Sequence, residues 1–311
     1  MEKIPVIVIV GPTASGKTSL GIEVAKRFGG EIISFDSMQI YKELSISTAK
    51  PTALERAQVP HHLIDFLSVN DTFSVAQFCE MAREKVGELT EKGKIPVFVG
   101  GTGLYIDSFI NNIDFSVQTD SALVREKVEK IEKEKGAPAL YEMLEKVDEQ
   151  SAKAIHPNNV KRVKRALEIY FSSGENKSEL DQKSRQNDSP YKPIYFGINF
   201  DDRQVLYDRI NTRVDIMIEQ GLINEAKEFF ENQNSVTSVQ AIGCKELKPY
   251  LEGELTLQEC VENLKRETRR YAKRQITWFK RNDKINWVYP DKTEYSEILE
   301  TIFKKIQEFL D

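Results

Sequence analysis

Residues 11–18, Gly11-Pro12-Thr13-Ala14-Ser15-Gly16-Lys17-Thr18, satisfy every fixed position of the phosphate-binding pattern G-x-x-x-x-G-K-[ST]. That pattern carries weight only between a buried strand and a helix, and both flank it. Ile4 to Val10 is an unbroken apolar, β-branched run, as expected of a parallel strand covered on both faces, and Leu20, Val24 and Phe28 recur at helical spacing. The glycines let the backbone turn its N–H groups inward at the positive end of the helix. Lys17 adds a mobile charge, and the Thr18 hydroxyl can hold Mg²⁺. Such a socket fits two adjacent phosphates, without specifying the compound that carries them.

A chain of 311 residues can form one large domain or two ordinary ones. Its formal net charge of -5 argues against indiscriminate coating of nucleic acid, so any polyanion must be met by a local basic patch. Cys79, Cys244 and Cys260 show no paired spacing and no neighbouring histidine, which excludes a recognisable zinc site and suggests a reducing compartment. The apolar run before the phosphate loop is too short for a signal peptide and carries Glu2, and no segment approaches the roughly twenty apolar residues of a membrane span. The expectation is a cytoplasmic protein with no membrane partner.

Glu31 to Phe35 reads as a second strand, ending at Asp36-Ser37-Met38-Gln39. Ligands of parallel sheets sit at the carboxyl ends of strands, which places Asp36 near the phosphate loop. Capping of a following helix is the bland alternative. Leu63 to Leu67 suggests a further short strand, and His61 and His62 just before it read as packed structural histidines. Ser74 opens a helix to about Lys92, and Ile95 to Val99 is a strand ending in Gly100-Gly101-Thr102-Gly103. Those glycines allow either a ligand to approach the backbone closely or a plain tight turn.

From about Asp114 the pattern turns helical, at Asp120 to Lys135, Pro138 to Lys146, Ser151 to Ile155 and Val160 to Phe171, and Ser172 to Ser189 is a polar linker. Residues 1–113 and 193–311 then form two parts of one core, with 114–192 inserted between them. Ile194 to Phe200 rejoins the sheet; the remainder is mostly helical, with a strand at Ile285 to Tyr289. In the helix from Leu257 to Arg281, Arg266, Arg269, Lys273, Thr277 and Lys280 share one face, while Val261, Leu264, Thr268, Ala272, Ile276 and Phe279 line another. Solvated faces usually mix signs, and Glu267 is the only acid between Lys265 and Lys280. A second cluster, Lys161, Arg162, Lys164 and Arg165, starts the last insertion helix; both clusters suit a nucleic-acid backbone.

Taken jointly, these segments resemble the tRNA dimethylallyltransferase (tRNA isopentenyltransferase) family of the bacterial type. Matching stretches are the phosphate loop, Asp36-Ser37-Met38-Gln39-Ile40-Tyr41, Thr48-Ala49-Lys50-Pro51, Pro60-His61-His62-Leu63-Ile64-Asp65 and Gly100-Gly101-Thr102-Gly103-Leu104-Tyr105. Later ones are Arg165-Ala166-Leu167-Glu168, Arg213-Val214-Asp215, Gln240-Ala241-Ile242-Gly243 and Thr268-Arg269-Arg270-Tyr271-Ala272-Lys273-Arg274-Gln275. The resemblance implies an α/β fold, a P-loop NTPase-like parallel-sheet core with a helical insertion and a helical C-terminal region. It implies a nucleotide-binding type of loop holding dimethylallyl diphosphate with Mg²⁺, and transfer to N6 of the adenosine 3′ of the tRNA anticodon by a monomer.

By the same resemblance, Asp36 is the base near N6, Thr13 and Arg213 contact the diphosphate, and Thr102 borders the adenosine channel. Asp36, Ser37, Met38, Gln39, Arg125, the cluster Lys161, Arg162, Val163, Lys164 and Arg165, and the segment Gln240, Ala241, Ile242, Gly243, Cys244 and Lys245 meet tRNA. So do Lys273, Arg274, Gln275, Ile276, Thr277, Trp278, Phe279 and Lys280. Three residues depart from the family pattern: Ser47 for a usual Gly, Asn159 for a frequent Asp, and Cys244 for a common Tyr. The eukaryotic-type zinc extension is not expected. A small-molecule or nucleoside kinase using ATP, and a prenyltransferase of free AMP or ATP, are the rival readings of the same loop.

Overall fold

The computed structural model describes residues 2–115, 122–186, 188–232 and 242–311. Six strands, β1 (Ile4–Val10), β2 (Glu31–Ser34), β3 (His61–His62), β4 (Pro96–Gly100), β5 (Tyr191–Ile198) and β6 (Ile285–Val288), form one sheet in the order β3-β2-β4-β1-β5-β6. Every pairing is parallel. The central β1 is buried from Val6 to Val10, which is why its sequence is apolar without alternation. Its carboxyl end delivers the phosphate loop straight into α1 (Lys17–Phe28).

One sheet face packs on α1, α9 (Arg203–Glu219), α12 (Leu257–Phe279) and α13 (Tyr295–Leu310) through Leu20, Ile22, Phe196, Ile210, Ala272 and Ile302. Near α3 (Val75–Glu91) and α4 (Gly103–Ile110), aromatic rings fill the space, with Phe78 on Tyr105 at 4.6 Å and Phe109 on Tyr191 at 4.3 Å between centroids. A further apolar cluster joins Tyr41, Leu44, Val214, Phe229, Cys244 and Leu264, holding α10 (Leu222–Asn232) and α11 (Cys244–Leu251) against α9 and α12.

Residues Ile110–Ser189 form a second compact unit. It contains α5 (Ala122–Val147), α6 (Glu149–Ala154), α7 (Val160–Ser173) and α8 (Lys177–Gln186) around Val128, Leu140, Leu144, Val163 and Leu167. Gly136, at φ 79 and ψ 169, breaks α5 into the two helices that the sequence pattern predicts there.

Two local expectations are corrected. The polar stretch from Ser172 to Ser189 is not a plain linker, because most of it is α8. The buried Asp148 carboxylate accepts from Ser151 N, Ser178 N and the Ser178 hydroxyl, capping α6 and fixing the start of α8. That is a long-range anchor invisible to hydropathy. Nor is Leu63 to Leu67 a strand: β3 ends at His62, and Leu63 and Asp65 take positive φ of 59° and 57°. Asp65 turns inward to Lys50 and Arg56, which fixes the bend. Two short helices, α2 (Ala53–Gln58) and α4, were not anticipated.

Candidate active site

The phosphate loop curls through positive φ at Ala14 (63°) and Gly16 (92°), and Gly16 caps α1. Lys17 is half-buried, its ammonium reaching back to the Pro12 carbonyl at 3.3 Å. Burial first, and the Arg213 guanidinium second, pull its pKa down to about 8 against the opposing Asp36 carboxylate. Arg213 Nη1 faces Thr13 Oγ1 at 3.4 Å, and Arg209 Nε donates to the Ala14 carbonyl at 2.9 Å. Burial, then Arg209, lowers the Arg213 pKa. Among the described residues, no carboxylate makes an ion pair with Lys17, Arg209 or Arg213. The cradle therefore holds converging positive charge, on which the Asp36 and Glu55 carboxylates act from beyond ion-pair distance.

Asp36 lies at the end of β2, as the strand pattern predicts. Its Oδ1 accepts from Met38 N (2.9 Å) and Gln39 N (3.3 Å), closing a turn; no helix starts there, so the helix-capping alternative does not hold. Oδ2 has no partner among the described residues. Thr102 Oγ1 accepts from Ser37 N at 3.2 Å, bringing the β4 end beside the β2 end. Tyr271 lies close by; burial first, and Asp36 second, push its phenol well above the ordinary range. Gly101 and Gly103 do allow a close approach, but α12 takes it. A Cβ at Gly101 would lie 2.0 Å from Gln275 Nε2, and one at Gly103 2.1 Å from Trp278.

A cleft of about 850 Å³ joins these parts, lined by the loop, Asp36 to Gln39, residues 45–52, Arg213, Tyr271 and Arg274. Its rim at 45–47 is held from outside: the Glu225 carboxylate of α10 accepts from Ser45 N, Ile46 N and Ser47 N at 2.7 to 2.8 Å. Ser47 and Cys244, two of the departures from the family pattern, face each other. Burial first, and the Glu225 carboxylate second, push the Cys244 thiol up to about 12. Gly243, at φ 120°, is confined too, because a Cβ there would meet Ser47 Cβ at 2.7 Å.

The residues expected at tRNA fall into distinct groups. Ser37, Met38 and Gln39 all line the cleft, while the Gln39 amide also turns to the Thr48 and Ala49 carbonyls and Met38 also packs on the adjoining core. Lys273, Arg274, Thr277 and Lys280 are exposed on α12; Gln275 and Phe279 are buried, Ile276 is half-buried, and Trp278 is tied to Asp107 at 2.7 Å. Ile242, Gly243 and Lys245 line the cleft while Cys244 is fully buried, and Gln240 and Ala241 lie outside the described residues. In the second unit Arg125, Lys161, Arg162 and Arg165 are exposed, Val163 is core, and Lys164 is paired with Glu132 at 2.7 Å.

His61 and His62 are tied to Val59 O and to Glu31, each at 2.7 Å, as structural histidines are. Sequence reasoning missed Arg209, Glu225 and Tyr271. Arg209 and Arg213 are four apart on α9, a spacing that puts both on one face and could have flagged the pair. Glu225 had no local signal. Among the described residues, no helix is long and apolar enough to cross a membrane, and no group of three His, Cys, Asp or Glu could hold a metal.

The IPP transferase family model matches residues 39–282. A tRNA dimethylallyltransferase of Thermoanaerobacter sp. (strain X514) is 47% identical over 306 residues, covering 97% of each chain. One from Carboxydothermus hydrogenoformans is 48% identical over 297 residues, covering 95% of each. The solved tRNA isopentenylpyrophosphate transferase of Bacillus halodurans superposes with a TM-score of 0.74 at 42% identity, covering 99% of this chain and 96% of its own. A eukaryotic dimethylallyltransferase solved acting on tRNA gives 0.79 at 31% identity, covering 92% of this chain and 74% of that one. With the phosphate loop at the end of the central parallel strand, the architecture is the P-loop NTPase-like α/β fold of these enzymes. The chain belongs to the IPP transferase family.

Proposed function

We propose that this chain transfers the dimethylallyl group of dimethylallyl diphosphate to N6 of the adenosine 3′ of the tRNA anticodon, giving N6-dimethylallyladenosine and diphosphate. The similarity to named tRNA dimethylallyltransferases supports the reaction class. The observation that carries it to residues is a single cleft holding both a cationic cradle whose lysine and arginines make no ion pair and the Asp36 carboxylate.

An exocyclic adenine amine is a weak nucleophile, because its lone pair is delocalised into the ring. Transfer then needs an allylic carbon already losing its diphosphate, and negative charge builds on the leaving oxygens. The loop N–H groups, Lys17 and Arg213 stand ready for that charge, with no reorganisation at the moment of reaction. Asp36 is too weak a base to deprotonate a neutral amine. With Oδ1 held by two backbone N–H groups, Oδ2 is the atom left to orient N6–H and take the proton as nitrogen becomes cationic.

The target base must leave its stack to reach the cleft, at a cost of about a few kcal/mol. The Lys273, Arg274 and Lys280 face of α12 and the Lys161 and Arg162 face of α7 supply phosphate contacts. Thr18 and Ser34 line one small pocket with Lys17; hard oxygen donors such as hydroxyls are what Mg²⁺ takes, so these residues fit the ion. When bound, Mg²⁺ neutralises charge on the departing diphosphate.

The test is incubation with Mg²⁺, radiolabelled dimethylallyl diphosphate and an unmodified anticodon stem-loop RNA, with AMP and ATP in parallel. Label in RNA, lost when the adenosine 3′ of the anticodon becomes guanosine, is the expected result. Label in AMP alone would assign free-nucleotide prenyl transfer, and ATP turnover without transfer would assign kinase chemistry. Asp36→Asn is expected to lower kcat by about 10²- to 10⁴-fold with RNA affinity kept; full turnover would remove Asp36 from the chemistry.

A further inference from the structure

Gln275 of α12 is 5% exposed, yet both ends of its amide are engaged. Oε1 accepts from Thr13 N at 2.9 Å, and Nε2 donates to the Gly101 carbonyl at 3.1 Å. These partners belong to opposite halves of the site. Thr13 is in the diphosphate cradle with its hydroxyl facing Arg213, while Gly101 directly precedes Thr102, which receives Ser37 N beside Asp36. The bridge is closely fitted, since a Cβ on Gly101 would lie 2.0 Å from the amide nitrogen. One turn on, Trp278 Nε1 donates to Asp107 Oδ2 at 2.7 Å, a second tie between α12 and the end of the sheet through α4.

We propose that Gln275 is a positioning residue for the transfer step: its amide sets the spacing between the leaving-group cradle and the Asp36–Thr102 wall. The proposal rests on the prenyl-transfer function above. In productive turnover the C–O bond to diphosphate breaks, the C–N6 bond forms, and the amine proton passes to Asp36. If the two halves slip, the same C–O bond breaks but water oxygen forms the new bond, giving dimethylallyl alcohol, diphosphate and a proton. A misplacement of about 1 Å can cost about 100-fold in rate, so the amide need move little for water to compete.

Three variants of the full chain probe the bridge. Gln275→Met keeps the volume and loses both hydrogen bonds. Gln275→Glu keeps an acceptor for Thr13 N, loses the donor to Gly101, and places negative charge beside the diphosphate loop. Gly101→Ala displaces the amide from its other end. For each, kcat, KM for the anticodon stem-loop and the partition of label between RNA and dimethylallyl alcohol are measured, with thermal unfolding to report on folding. Transfer kcat is expected to fall by about 10- to 100-fold, RNA KM to stay within about threefold, and the alcohol fraction to rise in all three. A normal kcat in Gln275→Met, or a lower kcat with an unchanged partition, would overturn the positioning role. No RNA labelling by the unaltered protein would instead overturn the transfer function itself.

Discussion

The phosphate loop and the start of α7 are both rich in cations, and they use them oppositely. Around the loop, Lys17, Arg209 and Arg213 converge with no ion pair among the described residues, and burial and mutual repulsion outweigh the more distant Asp36 and Glu55 to lower the pKa of Lys17 and Arg213. On α7, Lys164 is held by Glu132 and Glu129, at 2.7 and 3.8 Å, and Arg165 by Glu168 at 3.3 Å. Lys161 and Arg162 are exposed and make no ion pair among the described residues. Desolvated charge with no directly paired acid is costly until an anion arrives, and so fits a site for a small, highly charged ligand. Exposed charge, partly neutralised by its own helix layer, suits an extended polyanion met through a few screened contacts.

The largest expected effect is at the cradle. Lys17→Met and Arg213→Ala should each lower kcat/KM for dimethylallyl diphosphate by about 10²- to 10³-fold and leave stem-loop affinity unchanged; steady-state kinetics beside filter binding would show it. If Lys17→Met instead behaved like Lys164→Met, the two regions would not differ as described. A pH profile sharpens the point. Lys17 is charged below about 8 and neutral above it, so kcat/KM for the diphosphate should fall as pH rises through about 8. Bound diphosphate raises that pKa, and kcat at saturation should stay flatter. A kcat/KM that holds level to pH 10 would mean that Lys17 keeps its proton by some other pairing.

A smaller effect is expected on α7. Replacing Lys161 and Arg162 by Ala should weaken stem-loop binding and reduce the log–log salt slope by about 0.7 to 0.9 per lost phosphate contact. Lys164→Ala should barely move that slope, because Glu132 already answers its charge, and its stability cost should stay within about 1 kcal/mol. Titration of RNA binding at several salt concentrations separates the three lysine and arginine positions. Equal slopes for all would show that the internal pairs open on binding.

What the sequence made legible was mostly local. The run from Ile4 to Val10 and the loop after it announce their own conformation, and the end of β2 places Asp36 by topology alone. Arg213 became visible only through family likeness, because nothing near it in sequence says that α9 returns to the loop. Glu225 was beyond reach for the same reason: its three N–H partners lie about 180 residues away in sequence. Gly101 and Gly103 were read as admitting either a ligand or a plain tight turn, and the α12 side chains that pack on them were not foreseen, because spacing cannot say which distant element does the approaching. The packing of Ser47 against Gly243, next to Cys244, likewise brings together two departures that look independent along the chain.

The strands β1 and β5 pair in parallel from Ile4↔Tyr191 to Val10↔Gly197, although the whole second unit separates β4 from β5 in the chain. Within that unit the Ser189 hydroxyl donates to the Ile110 carbonyl, so the inserted chain leaves and returns at nearly one point. Closing an unstructured loop costs entropy that grows with its length, if only logarithmically. A folded insert whose ends already meet removes that dependence, and to the sheet it counts as little more than a turn. Its helices could be lengthened, trimmed or exchanged as a cassette, with the register that aims the phosphate loop left unchanged.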